Sequence, residues 1–155
     1  IAHIGNSNML SRELGYRNEL MLNGVEVNDN LIVKGMPCYE FGFVSARKLV
    51  ENGESFSAMF CFNDSTALGA IRGIESQGLR VPEDVAVVGF DDIQMASLST
   101  PSLTTVRQPL KDMGKSAVER LLSLLADGSA SLGNVVFSTE LVVRGSCGAH
   151  KHAEK

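Results

Sequence analysis

The run Val85-Ala86-Val87-Val88-Gly89-Phe90 constrains this chain more than any other feature. A nearly all-apolar segment of strand length, with acidic residues on both flanks, suits a parallel strand buried on both faces; a strand with one face in water would alternate. Three shorter apolar segments precede it, at Ile1–Ile4, Leu31–Val33 and Ala58–Phe62. Stretches of helical period follow them, over residues 9–23, 39–52 and 65–77, and Gly78 stands where a helix C-cap belongs. Such alternation builds βαβ units, so the expected class is α/β around a mostly parallel sheet.

After Asp92 the rhythm changes. A short segment, Ile93–Leu98, leads through Thr100-Pro101 to a strand at Leu103–Val106 and then to a helix over residues 110–126. In that helix Leu110, Met113, Gly114, Ala117, Val118, Leu121, Leu122, Leu124 and Leu125 share one arc, and an arc that apolar demands burial. Residues 127–134, rich in Gly and Ser, read as a flexible connector, and residues 135–144 as one or two further strands. From Cys147 onward the chain is polar and is expected to be disordered. No repeat of fixed period occurs.

The chain has 155 residues, 44% of them hydrophobic and 21% charged, enough for one ordinary core. Its net charge of −4 leaves no excess of Lys and Arg to neutralise phosphates, which points to small molecules or proteins as partners and away from nucleic acid. Cys38, Cys61 and Cys147 are odd in number and far apart, with no metal-ligand spacing, as in a reducing compartment. No apolar run is long enough to span a membrane. The opening Ile-Ala-His-Ile-Gly has neither initiator Met nor the form of a signal peptide, and reads as the interior of a longer chain.

In open α/β sheets ligands bind beyond the carboxyl ends of the strands, where loops and helix N-termini offer free N–H groups. That rim should carry Asn63, after the third strand, and Asp91, after the fourth. A carboxylate and an amide together suit vicinal hydroxyls or the edge of a base. The same residue types also cap helices without any ligand. Capping is the favoured reading for Asp64 and Asp92, and both readings stay open for Asn63 and Asp91. Around the first helix Leu10, Leu14 and Met21 form the expected core stripe, which turns Arg12 away from the core, either into solvent or onto the same rim.

Other signals favour structure over chemistry. His3, inside a strand, reads as a satisfied core residue, and His150 and His152 make no metal site at their spacing. Gly69 and Gly73 lie within a helix, where small residues permit close packing. No motif joins a nucleophile to its base, so no enzyme and no cofactor is expected.

Three stretches then carry a resemblance: Phe62-Asn63-Asp64-Ser65-Thr66-Ala67-Leu68-Gly69-Ala70, Gly78 through Asp92 including Val81-Pro82-Glu83-Asp84-Val85, and Pro101-Ser102-Leu103-Thr104-Thr105-Val106. In order and spacing they resemble the lactose repressor/galactose repressor family of transcription regulators. Weaker likeness extends from Arg12 and Gly15-Tyr16 to Leu141–Arg144. The resemblance implies a periplasmic-binding-protein-like (type I) three-layer sandwich of two subdomains, with a small effector such as a sugar in the cleft between them. It implies that Arg12, three residues before the Gly-aromatic pair, Asn63 and Asp91 contact the effector. The aromatic residue such proteins often place two positions after the Gly ending the second strand is replaced here by Pro37, with Tyr39 the candidate substitute.

By the same resemblance, residues 1–104 form most of one subdomain, 105–134 a crossover helix and connector belonging to the other, 135–146 returning strands and 147–155 the tail. The crossover helix would then lack its partner sheet and pack on a neighbouring chain or an improvised surface. A homodimer is implied, with Leu68, Arg72, Met95 and Leu98 as its patch. Operator DNA would be met through a helix-turn-helix outside this chain, in the cytoplasm. The main rival is a periplasmic sugar-binding protein of a transport system. A phosphoacceptor receiver, the rival from another class, would need its acidic pair after the first strand and a Lys at a late strand end.

Overall fold

The structure, a computed structural model, describes residues 1–8, 11–126, 128 and 133–149. One six-stranded sheet organises the chain. Its strands are β1 (Ala2–Asn6), β2 (Ile32–Gly35), β3 (Ala58–Cys61), β4 (Ala86–Asp91), β5 (Thr104–Arg107) and β6 (Glu140–Val142). They lie in the order β2-β1-β3-β4-β5-β6, with the first five parallel and β6 antiparallel to β5. The helices are α1 (Ser11–Leu22), α2 (Tyr39–Glu51), α3 (Asp64–Glu75), α4 (Gln94–Leu98) and α5 (Leu110–Ala126).

The chain runs from β1 outward to β2 in one direction, then back past β1 to β3 and β4 in the other. Parallel crossovers are right-handed, so this reversal puts α1 on one face of the sheet and α2 and α3 on the other. Contacts agree: His3 of β1 stacks on Tyr16 of α1, while Ala2 and Ile4 of the same strand join the core with Ala46, Leu49, Ala67, Ala70, Ile71 and Ile74 of α2 and α3. The expected three-layer sandwich is therefore present, and its order reverses between β1 and β3.

The α2/α3 layer is closer than ordinary side chains permit. A Cβ on Gly42 would overlap the Thr66 carbonyl, one on Gly69 the Tyr39 carbonyl, and one on Gly73 the Phe43 carbonyl. The helices thus touch backbone to backbone, which only glycine allows. The expected α3 stripe of Ala67, Ala70, Ile71 and Ile74 is buried as read from the sequence.

The α1 stripe is not. Leu14 and Met21 are exposed, and Leu10 lies outside the described residues; Glu13, Tyr16 and Leu20 are the buried set. Hydrophobicity alone passes over Glu13, yet its carboxylate is neutralised by Arg17 at 2.9 Å and Lys34 at 2.8 Å. Tyr16 satisfies its hydroxyl on the Ile1 carbonyl at 2.6 Å while its ring stacks on His3. His3 is buried, as expected, with Nδ1 donating to the Phe60 carbonyl at 2.9 Å. That burial holds its pKa below the usual histidine value.

Residues 135–144 contain one strand, β6, within what the sequence predicts, while two other features of the carboxyl-terminal part depart from expectation. Gly145–Cys147 form a short helical turn in place of the start of a disordered tail: Ser146 is buried, its hydroxyl donating to the Val87 carbonyl at 2.6 Å and accepting from the Thr104 N–H at 2.9 Å. Residues 127, 129–132 and 150–155, with most of the connector, His150 and His152, lie outside the described residues. Finally, α5 buries none of its residues, with Leu121 and Leu125 at 55% and 75% exposure. No improvised surface among the described residues covers it.

Candidate functional site

The reversal of strand order between β1 and β3 opens a crevice at the carboxyl ends of the strands, because the connections that follow them leave to opposite faces. Arg12, in the first turn of α1, reaches into that crevice. It lies four residues before Tyr16 and so nearly on the buried side of α1, which reverses the outward direction expected from Leu14 and Met21. Its guanidinium sits 4.2 Å from the Phe62 ring centroid and 3.8 Å from that of Phe90. Nη1 donates to the Phe62 carbonyl, and Nη2 lies 3.9 Å from Asp91 Oδ1. Burial lowers the Arg12 pKa and Asp91 opposes the shift; a guanidinium so held remains cationic at neutral pH.

Asp91 ends β4 with a φ of 115°, and Asp92 follows at 58°. Consecutive non-glycine residues in this region are costly and persist only where their surroundings enforce them. Asp91 Oδ1 accepts from Gln108 Nε2 at 2.7 Å. With side-chain exposures of 21% for Arg12 and 30% for Asp91, the pair is open to the crevice yet positioned by its neighbours.

Asn63 is the N-cap of α3, its side-chain oxygen accepting from the Thr66 N–H at 2.9 Å. The cap engages the oxygen and leaves the NH2 group to donate. Asp64 and Asp92, read as caps, do other work. Asp64 is the first residue of α3 and is fully buried: its carboxylate accepts from the Thr105 hydroxyl at 2.5 Å and the Ile93 N–H at 2.8 Å. Burial pushes its pKa up, against those hydrogen bonds. Asp92 is held by Arg107 and Arg144, each at 2.6 Å. Desolvation works to raise its pKa, but the two arginines outweigh it and hold the carboxyl below the usual range.

Tyr39 opens α2, and the hollows it lines are shared with Leu68 and Arg72, not with Arg12 or Asp91. Leu68, Arg72 and Met95 surround one of these hollows together with Ile71, Ser99 and Thr100. Leu98, exposed, is on the same short helix as Met95 but outside that lining. Among the described residues no group of three or more His, Cys, Asp or Glu could hold a metal ion.

Sequence reasoning missed Phe62, Phe90 and Gln108. A signal for the rings was present: β3 and β4 lead into the parallel phrases Phe62-Asn63-Asp64 and Phe90-Asp91-Asp92, which place two aromatic residues side by side beneath the rim. Gln108 carried none, since its contact with Asp91 exists only because β5 pairs beside β4.

A cation against two aromatic rings, a carboxylate and an amide thus stand together at the switch point of a doubly wound sheet, offering donors and an acceptor to a small polar molecule. A family model described as periplasmic binding protein-like domain matches residues 1–147. The chain belongs to that family, in the form found in regulators of the lactose repressor/galactose repressor type. It is 35% identical to the HTH-type transcriptional repressor PurR of Vibrio atlanticus, over 81% of this chain and 37% of that protein. Identity is 41% with the HTH-type transcriptional regulator MalR of Streptomyces coelicolor, over 84% of this chain and 37% of that protein. A solved complex of the transcriptional regulator CelR with cellobiose superposes with a TM-score of 0.88 at 34% identity, covering 94% of this chain and 46% of the other. The lac repressor dimer bound to operator and the anti-inducer ONPF gives 0.82 at 32% identity, covering 94% and 52%. This chain thus spans well under half the length of these curated relatives.

Proposed function

We propose that this chain is the effector-sensing and dimer-forming part of a transcription regulator of the lactose/galactose repressor type, with a sugar or a similarly hydroxylated metabolite as effector. The observation that carries the reading is Arg12, clamped between Phe62 and Phe90 and directed at Asp91 where the strand order reverses. The Arg12 guanidinium and Asn63 NH2 donate and Asp91 accepts, the combination that vicinal hydroxyls need. The similarity to curated repressors supports this reading over a transport protein, and none of those relatives is an enzyme by name.

In this reading the second wall of the cleft comes from polypeptide beyond this chain. The chain leaves the sheet after Arg107, and α5 belongs with that second wall, its apolar face resting there. An effector bridging the two walls biases the angle between them, and a homodimer transmits that angle to DNA-binding heads on operator DNA in the cytoplasm. No helix among the described residues is long and apolar enough to cross a membrane. The hollow lined by Leu68, Arg72 and Met95, with Tyr39 at its edge and Leu98 nearby, is the dimer surface. In the full-length protein, Leu68→Glu should convert dimer to monomer in sedimentation; an unchanged dimer removes that assignment.

Calorimetry of the full-length protein against a panel of sugars and nucleobases tests the site. Loss of a charged hydrogen bond in Asp91→Ala should weaken the responding compound by about tenfold or more. Wild-type affinity in that variant would sink the reading.

A further inference from the structure

Asp91 faces the crevice only because its backbone and that of Asp92 are held at φ values of 115° and 58°. Left to themselves, two such residues relax to negative φ, and the Asp91 carboxylate leaves Arg12 and Gln108. The turn itself contains no glycine, and α4, which follows, has no side-chain cap. Something outside the turn holds it.

Asp64 fits that description by its reach. From the start of α3 its carboxylate crosses beneath the turn, accepting from the Ile93 N–H on one side and from the Thr105 hydroxyl of β5 on the other, and that hydroxyl in turn accepts from the Asp92 N–H at 3.4 Å. The neighbouring strand makes room for it: a Cβ on Gly89 would overlap Asp64 Oδ1. A carboxylate buried this deeply, with Asp91 as a like charge nearby, is a poor choice for stability alone, and capping of α3 already falls to Asn63.

We propose that Asp64 is a positioning residue of the cleft: by tying the turn after β4 to α3 and β5, it imposes the left-handed geometry that presents Asp91 to the ligand. This rests on the reading of Arg12 and Asp91 as the cleft wall. The pairs Asn63-Asp64 and Asp91-Asp92 then divide their labour. Asn63 and Asp91 face the crevice, while Asp64 and Asp92 anchor the frame that carries them.

The test uses the full-length protein with Asp64→Ala, Asp64→Asn and Thr105→Val, and with Leu49→Ala as a destabilised control remote from the turn. Asp64→Ala should return Asp91 to negative φ in a ligand-free crystal structure, break its bond to Gln108, and speed hydrogen exchange at Asp92 and Ile93 by about tenfold or more. Asp64→Asn keeps a carbonyl acceptor for Ile93 while the Thr105 hydroxyl turns to accept from the new amide, so it should restore most of the protection. Thr105→Val should move the turn in the same direction by less. Leu49→Ala should lower the thermal midpoint and leave the turn unchanged.

An unaltered Asp91 φ and unaltered exchange in Asp64→Ala would overturn the proposal, as would an Asn variant no better than Ala. If the Ala variant does not fold, the Asn and Val variants carry the same comparison. Failure of the underlying site reading is visible separately: Asp91→Ala would then bind the panel compound like wild type, whatever the ligand-free turn shows.

Discussion

Helices α3 and α5 are both amphipathic, and by sequence both demand a partner. In α3 eight residues are buried; in α5 none is. The difference lies not in the helices but in what faces them. Beside α3 stands α2, with Gly42 matching Gly69 and Gly73 so that the backbones touch, and beneath it the apolar side chains of β1, β3 and β4. Beside α5 the described residues supply a hydrogen bond from Arg120 to the Gly133 carbonyl but no apolar cover. Amphipathicity states that a face must be covered; it does not say by which polypeptide.

The most damaging change to the covered side is Gly69→Val. Its Cβ would overlap the Tyr39 carbonyl, a clash that no side-chain rotation relieves, and the change should cost more than about 4 kcal/mol. A chain of this size loses about 2–4 °C of thermal midpoint per kcal/mol, so calorimetry should find the midpoint lowered by about 8–16 °C or more. A near-native melt would mean that the helices can separate, and that α3 is less committed to its partner than its burial indicates.

Next in size is the edge where the covered region ends. Arg144 and Arg107 clamp Asp92 where β6 returns to the sheet, and Arg144→Met should cost about 2 kcal/mol by leaving a half-buried carboxylate half neutralised. The sign of the pH dependence follows from the direction of the shift. Asp92 is held below its unfolded value, so its stabilisation is complete above the usual carboxylate range and lost as pH falls through the lower native value. Urea unfolding of wild type should weaken across that window, and Asp92→Asn should flatten the slope; equal slopes would show that the clamp ends short of the stabilised core.

His3 provides a smaller effect on the opposite face of the sheet. Burial holds it below 6.5, so the unfolded chain binds the proton first and stability falls as pH drops from that value. Replacing His3 with Gln should remove this part of the pH dependence near pH 6. Smallest of all, Leu121→Glu with Leu125→Glu should change the stability of this chain by under about 0.5 kcal/mol, since neither side chain is covered. In the full-length protein the same pair should be strongly destabilising if α5 rests on the second wall. Equal and negligible effects in both would leave α5 without a partner anywhere.

Much of this arrangement was legible before any coordinates. The strand and helix order follows from apolar runs and helical periods, but the near-continuous run ending at Phe90, read as a strand buried on both faces, is fully buried on one face only, at Val87 and Gly89, with Ala86, Val88 and Phe90 half-buried on the other. The rim position of Asn63 and Asp91 follows from the general rule for open parallel sheets. The orientation of α1 differs from the sequence pattern because Glu13, a core residue by virtue of two cations, counts as polar, and Leu14 and Met21 count as core although they face water.

What the sequence by itself determined, then, is what depends on neighbours along the chain: the elements, the apolar faces of α3 and α5 and the alternation that forces a parallel sheet. Tertiary structure alone decided what depends on neighbours across it. Arg12 enters the crevice because Phe62 and Phe90 lie at the ends of adjacent strands; Asp91 holds its left-handed turn because Asp64 from one segment and Thr105 and Gln108 from another converge on it; the apolar face of α5 stays exposed because no described residue covers it. Local pattern reports the period of a helix and the hydropathy of its faces. Which charges are neutralised, which strained turn is held and which face finds a partner are set by distances between residues far apart in sequence, and those exist only once the sheet has formed.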